Sequence, residues 1–449
     1  METDQIFQES TLFWGHLKEL LKCPEVEDYE LANTRLVQYI KTVSDHVHIY
    51  ITEDHDLYQC GIGLISSPIY EIHREFCISK MLSFLNIDLL EQNFKLFVSY
   101  VLLLDCKNDA SILQLVQDYQ GFNVLYKNLH QNFENVALLS KKEGDSITIG
   151  VIKRICTIQL DLMFQMCKYL SITQEELTII DTFFINYIFE SLIVVDSEED
   201  LFNFAKFKII LAVNEQFMIV SRESKIENKV FHTIATHTTF RNFSECLLVY
   251  FNREEDRCLQ IMISKVLYLI FTNSSTKELF YHNDLNVLVD VLLRELRNLS
   301  EEEESIRNTF LRVLYPLLKC SQFEDTNYKK DKLKKLLNYF AGQSESTFWH
   351  QTETTKRLAL RCLSINWLTR EEDQDSEPSP SPPKKDTLTV PEINHSNTSI
   401  NSISKRQPPP APLPRKLLSR NSSYHNTSND THTNNNNRNN GKIMPPSIR

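Results

Sequence analysis

Apolar side chains recur at three- and four-residue intervals from the first residues of this chain to about residue 370, and there the pattern stops. The opening stretch IFQESTLFWGHLKELLKC carries the stripe Phe7, Leu12, Leu17, Leu20 and Leu21, the spacing of one face of an α-helix. Comparable stripes fall in 29–50, 65–85, 88–105, 111–139, 147–170, 174–195, 200–221, 226–250 and 256–272. Others follow in 284–299, 303–319 and 353–368, with a shorter basic one in 328–340. Strand-like alternation is scarce and the whole chain has only 8 glycines, so about fourteen helices joined by short polar turns are expected.

Several central runs, notably 179–195 and 260–272, are apolar around most of their circumference, and a helix buried on all sides needs neighbours on both. Stacked helices of the armadillo or HEAT kind meet that need. The fold class expected is therefore an all-α armadillo/HEAT-like solenoid over 1–370, with an irregular helical bundle as the competing architecture. No crisp repeat of about 40 residues is visible, so any repeats are degenerate.

Beyond residue 370 the composition turns to Pro, Ser, Asn and Thr. Twelve of the 15 prolines lie there, and only Pro24, Pro68 and Pro316 come before. Residues 371–449 have too few large apolar groups to offset the entropy of ordering, and read as a disordered tail. Charge divides at the same place: the tail carries 10 Lys/Arg against 8 Asp/Glu, the body 38 against 51. A body near −13 is poorly suited to following a phosphate backbone, so nucleic acid is disfavoured as a partner.

The start, METDQIFQES, lacks the basic and apolar regions of a signal peptide. IIDTFFINYIFESLIVV contains Asp181, Asn186 and Glu190 and is too short and polar to span a bilayer. Ten cysteines without C-x-x-C spacing, among them Cys77, Cys167 and Cys246 inside apolar runs, suggest reduced core residues. A cytosolic or nuclear protein without direct membrane insertion is expected.

Chemistry is sparse. CGIGLIS (Cys60–Ser66) holds a lone G-x-G, and no phosphate-loop, H-E-x-x-H or G-x-S-x-G motif occurs. His46, His48, Glu53, His55 and Cys60 are the nearest approach to a metal set. On a helix, His46 and His48 point about 200° apart, and a polar helix end with its loop explains the group better. His232 and His237 likewise fall on different faces. No catalytic residue, metal or cofactor is expected. In LSEEEES, Ser300 reads as an N-cap followed by first-turn acids.

The most informative stretch is LFYHNDLNVLVDVLLRELRNLS (Leu279–Ser300). Asn283 or Asp284 is placed to cap a helix whose inner stripe is Leu285, Leu288, Val289, Leu292, Leu296 and Leu299, and Asp290 and Arg294 are an i,i+4 pair. Together with FLRVLYPLLKCSQF (Phe310–Phe323) and the basic YKKDKLKKLLNYF (Tyr328–Phe340), it resembles the WISH/DIP/SPIN family of actin regulators. The fungal low-dye-binding protein 17 type is among its members. The resemblance is strong over about 260–340 and extends in helical pattern across 1–370.

It implies an armadillo-like, non-enzymatic protein that binds the actin-related protein 2/3 complex and activates it without a preformed filament. Linear filaments would be seeded at cortical actin patches in endocytosis, with actin itself engaged indirectly. No SH3 domain is expected ahead of the first helix, unlike animal members. Candidate partner-binding residues are Tyr281, Asn283 and Asp284 at the polar helix entry, and Lys332 and Lys335 on the basic helix, although capping and solubility also explain them.

The proline block SKRQPPPAPLPRKLL reads as an SH3 ligand. Arg406 followed by Pro408, Pro409, Ala411 and Pro412 fits the basic-first pattern, since the three-residue turn of polyproline II puts Pro409 and Pro412 on one edge. Leu413, Pro414 and Lys416 form a near fit in the opposite orientation, and Pro380, Pro383 and Lys385 a shorter upstream candidate. A linker of ~40 residues gives a coil reach of ~35 Å, enough to tether the body to an SH3-domain endocytic coat protein. A generic armadillo adaptor carrying an SH3 ligand to another assembly is the alternative reading.

Overall fold

The computed structural model describes residues 2–22, 28–141, 146–193, 200–236, 240–319, 323, 326–343 and 351–370, with side chains from Gln8 onward. Its helices are α1 (Glu2–Leu21), α2 (Tyr29–Asp45), α3 (Asp54–Ile65), α4 (Pro68–Ile72), α5 (Arg74–Leu85), α6 (Gln92–Asn108) and α7 (Ile112–Asp118). Next come α8 (Gly121–Lys141), α9 (Ser146–Tyr169), α10 (Gln174–Ile179), α11 (Thr182–Ser191), α12 (Leu201–Val220), α13 (Lys229–Thr236) and α14 (Phe240–Arg253). The last are α15 (Arg257–Thr272), α16 (His282–Asn298), α17 (Glu304–Leu318), α18 (Lys330–Phe340), α19 (Glu353–Leu363) and α20 (Asn366–Thr369). Among the described residues there is no strand, only an isolated bridge between Val47 and Ile51. No described helix is long and apolar enough to cross a membrane.

Seven helices form a spine. α2, α6, α9, α12, α15, α17 and α19 pack successively, each against the next, and the remainder flank them. This is the helical solenoid expected from the all-round apolar runs. The spine helices begin at Tyr29, Gln92, Ser146, Leu201, Arg257, Glu304 and Glu353. The steps between these starts run unevenly, from 47 residues (Arg257 to Glu304) to 63 (Tyr29 to Gln92), and most exceed the ~40–47 residues of a regular armadillo or HEAT repeat, which is why no repeat is legible in the sequence.

Polar ties fix the register along the spine. Gln159 Nε2 of α9 donates to Ser99 Oγ of α6 at 3.0 Å. Lys208 of α12 reaches Asp161 of α9 at 2.6 Å, and further along Gln216 Nε2 donates to the carbonyls of Cys167 and Leu170. On α17 and α19, Thr355 Oγ1 donates to Asn308 Oδ1 and Cys362 Sγ to the Leu311 carbonyl. In both pairs the residue numbers rise together, so α9 and α12 run parallel, as do α17 and α19, in the manner of stacked repeats. One continuous apolar core extends from Phe13 to Leu368.

Local chemistry explains where the predicted runs break. The stretch 174–195 is two helices, because Asp181 leaves the helix and its carboxylate accepts from the Phe184 amide at 2.8 Å, capping α11. Thr173 and Glu176 form a capping box for α10, and Asp28, Ser67, Asp200, Asp256 and Thr352 cap five other helices. The run 65–85 divides at His73 and the run 111–139 at Gln120, whose φ is 58°. α11 leaves Phe183 39% exposed, so it is less enclosed than its composition suggests, whereas α6 is buried around most of its circumference.

The G-x-G of CGIGLIS lies inside α3. A Cβ on Gly61 would sit 2.8 Å from Leu104 Cδ2 and 3.3 Å from Tyr100 Cε1, so this glycine permits close approach of α3 to α6. Its role is packing.

Candidate partner-binding surface

Tyr281 occupies the N-cap position of α16, and its side chain makes no cap bond. α16 begins at His282, so Asn283 and Asp284 lie inside the first turn and neither caps the helix, contrary to the sequence expectation. Asp284 still favours the positive end of the helix dipole. The Tyr281 ring is 64% exposed, and the Arg241 guanidinium of α14 lies 5.9 Å from its centroid. Arg241 Nε donates to Glu245 at 3.1 Å. Arg241 was not legible as part of this surface, since it is remote from Tyr281 along the chain and only the packing of α14 on α16 joins them.

Asp290, more than two turns along α16, does not pair with Arg294. It accepts from the Tyr328 hydroxyl at 3.1 Å and from Lys329 Nζ, while Arg294 donates to Asn252 and Glu295. Tertiary partners outcompete the local i,i+4 pair. Lys329 precedes α18 in the left-handed region, with φ at 51°, and Asn327 is there too, with φ at 48°. The Asp290 hydrogen bond holds this turn and raises the Lys329 ammonium above its ordinary value.

α18 divides its lysines by depth. Lys330 is buried and donates to the Arg370 carbonyl at 2.6 Å. Leu333, Leu336, Leu337 and Phe340 pack inward, leaving Lys332 and Lys335 exposed one turn apart. Neither has an ion-pair partner among the described residues. Nine residues of helix, about 13 Å, separate Tyr281 from Asp290, where α18 meets α16. Tyr281, Asn283 and Asp284 therefore form one end of a surface and Lys332 with Lys335 another.

Ser300 does not cap α17 either. Its amide and hydroxyl donate to Glu303 Oε2 at 2.8 and 3.0 Å, Glu303 is the N-cap residue, and its other oxygen accepts from Arg257 Nε at 2.9 Å. His46 ends α2, with Nδ1 2.7 Å from the Thr42 carbonyl and its ring stacked on Tyr50, and His48 has φ at 75°. Among the described residues no three His, Cys, Asp or Glu side chains are grouped as a metal ion would require. The SH3-ligand candidates Arg406, Pro408, Pro409, Ala411, Pro412, Leu413, Pro414, Lys416, Pro380, Pro383 and Lys385 lie outside the described residues, as does His237.

Comparison with known proteins draws on this same region. Residues 199–333, from just before α12 to the start of α18, match the family model described as SPIN90/Ldb17, leucine-rich domain. Protein LDB17 of Eremothecium gossypii is 38% identical over 396 residues, covering 84% of this chain and 86% of the relative. Protein LDB17 of Saccharomyces cerevisiae is 39% identical over 393 residues, covering 79% and 80%. Protein dip1 of Schizosaccharomyces pombe is 28% identical over 371 residues, covering 80% and 94%.

Proposed function

The chain belongs to the SPIN90/Ldb17 family, and on that premise we propose that it is a non-enzymatic activator of the actin-related protein 2/3 complex. In this reading it seeds linear actin filaments without a preformed filament, at cortical actin patches during endocytosis. The proline-rich tail, through the Arg406–Pro412 block above all, tethers it to SH3-domain proteins of the endocytic coat.

The observation that carries the reading is family membership over about four-fifths of the chain. A continuously packed helical spine supplies the physical means. An activator of this kind works by gripping the active arrangement of a two-state complex more tightly than the inactive one. Shifting the complex from 1% to 99% active takes about 5.5 kcal/mol of differential binding. A stiff stack with one continuous core serves that end, because a pliable binder would fit both states equally.

The test uses the purified full-length chain, the complex and actin monomers, with no filaments added. Polymerisation should accelerate, and single-filament imaging should show unbranched filaments. No acceleration while the chain still binds SH3 proteins would reduce it to an adaptor and end the proposal.

A further inference from the structure

A second surface lies on the spine itself, across α15, α17 and α19. Tyr268 of α15, Arg312, Tyr315 and Pro316 of α17, and Arg357 and Arg361 of α19 enclose a groove of about 390 Å³. The Arg361 guanidinium stacks 4.2 Å from the centroid of the Tyr315 ring, and Lys319 Nζ lies 5.3 Å from it. Hydrogen bonds from Arg361 and then Lys319 draw the Tyr315 phenol below its ordinary value, a sign of the positive field there. Pro316, inside α17, has no amide to donate to the Arg312 carbonyl one turn back.

Arg312, Arg357 and Arg361 have no ion-pair partner among the described residues. Basic groups near helix C-termini are favoured by the helix dipole, which accounts for Lys319 and Arg361. It does not account for Arg312 and Arg357, which sit in helix interiors. On a chain with 59 acidic against 48 basic residues, three exposed arginines without acids are a local reversal of sign.

We propose that this groove docks an acidic segment of a protein partner, its carboxylates taken by Arg312, Arg357 and Arg361 and its apolar side chains laid on Tyr268, Tyr315 and Pro316. Guanidinium forks match carboxylates bidentately. The half-apolar lining fits a peptide better than a nucleic acid, whose repeated phosphates suit a continuous basic track rather than a chain with 59 acidic against 48 basic residues. The inference stands on the groove's own charge and goes beyond the proposed activity. It adds a contact surface separate from Tyr281 and from Lys332/Lys335.

The test measures fluorescence anisotropy of a labelled octaglutamate peptide with the full-length chain, beside an octaglutamine control. The glutamate peptide should bind and weaken with salt. Arg312→Glu/Arg357→Glu/Arg361→Glu should reduce affinity at least tenfold, while Lys332→Glu/Lys335→Glu should change it less than twofold. If the triple reversal alters the circular dichroism spectrum, Arg312→Gln/Arg357→Gln takes its place, with at least a threefold loss expected. Equal binding of both peptides, unchanged affinity in the groove variants, or stronger competition by single-stranded DNA than by glutamate peptide would overturn the proposal. So would self-association that the groove variants abolish, because the occupant would then be a second copy. The actin assay is read independently: failure there leaves the peptide result standing, and the reverse.

Discussion

Asp105 offers the sharpest test of how the spine is held. Its carboxylate is fully buried on α6 and accepts from Arg74 Nη2 at 2.5 Å, Arg74 Nε at 3.3 Å and the Tyr70 hydroxyl at 2.8 Å. Asp105→Ala leaves the Tyr70 hydroxyl buried without an acceptor and the guanidinium without its main countercharge. Removing one partner of a buried pair costs about 3–5 kcal/mol. The Arg74 side chain is 34% exposed and also reaches Asp109 at 3.4 Å, so the low end, about 3 kcal/mol, is expected. With a urea m-value of about 3 kcal/mol/M for the section of the stack that contains α6, the midpoint of its transition falls by about 1 M. Tyr70→Phe removes one hydrogen bond and costs about 1 kcal/mol. Asp105→Ala/Arg74→Ala should cost less than the two single changes combined, by about 1 kcal/mol or more. Urea titrations followed by circular dichroism at 222 nm measure all four proteins. A midpoint shift under 0.3 M for Asp105→Ala, or strict additivity in the double variant, would refute this account of the cluster.

Other expectations follow from single sites. Burial pulls the Lys206 ammonium down to about 8, so below that pH both folded and unfolded chains carry the charge and the desolvation cost is fully felt. Between pH 8 and the ordinary lysine range only the unfolded chain is charged, and stability gains up to about 3 kcal/mol. The gain should be missing in Lys206→Met when the urea midpoints of the two proteins are compared at pH 7 and 9.5. Burial pushes the thiols of Cys60, Cys77, Cys246 and Cys362 up to about 12, so peptide mapping after brief alkylation at pH 8 should find them unmodified, with the half-buried Cys258 labelled before them. A Cβ on Gly121 would lie 2.6 Å from the Val116 carbonyl oxygen, so Gly121→Ala should cost about 2 kcal/mol in the same titration. Lys332→Glu/Lys335→Glu should weaken co-sedimentation with the actin-related protein complex without changing the helical spectrum, and unchanged co-sedimentation would exclude that face.

Helix positions were legible because burial on one side imposes a 3.6-residue rhythm, and α9, α12 and α15 lie close to where it put them. Helix ends were less so. Ser300 and Asn283 are the right residue types for caps, but Glu303 and Tyr281 take those positions once the neighbouring helices are in place. The Asp290–Arg294 pair failed for the same reason: Lys329 arrives from the turn before α18 and Asn252 from α14, each with better geometry. Lys332 and Lys335 could be found because they share one helix. Arg312, Arg357 and Arg361 could not, since α17 and α19 are separated in the chain by α18 and its flanking segments, and only stacking makes them neighbours.

Because each spine helix rests chiefly on the one before and the one after, damage has no route across the molecule except from one layer to the next. A fault at Gln216, which ties α12 to the end of α9, would loosen that joint while leaving the layers at either extremity intact. The protein should consequently give way in sections, more like a ladder losing a rung than a droplet bursting.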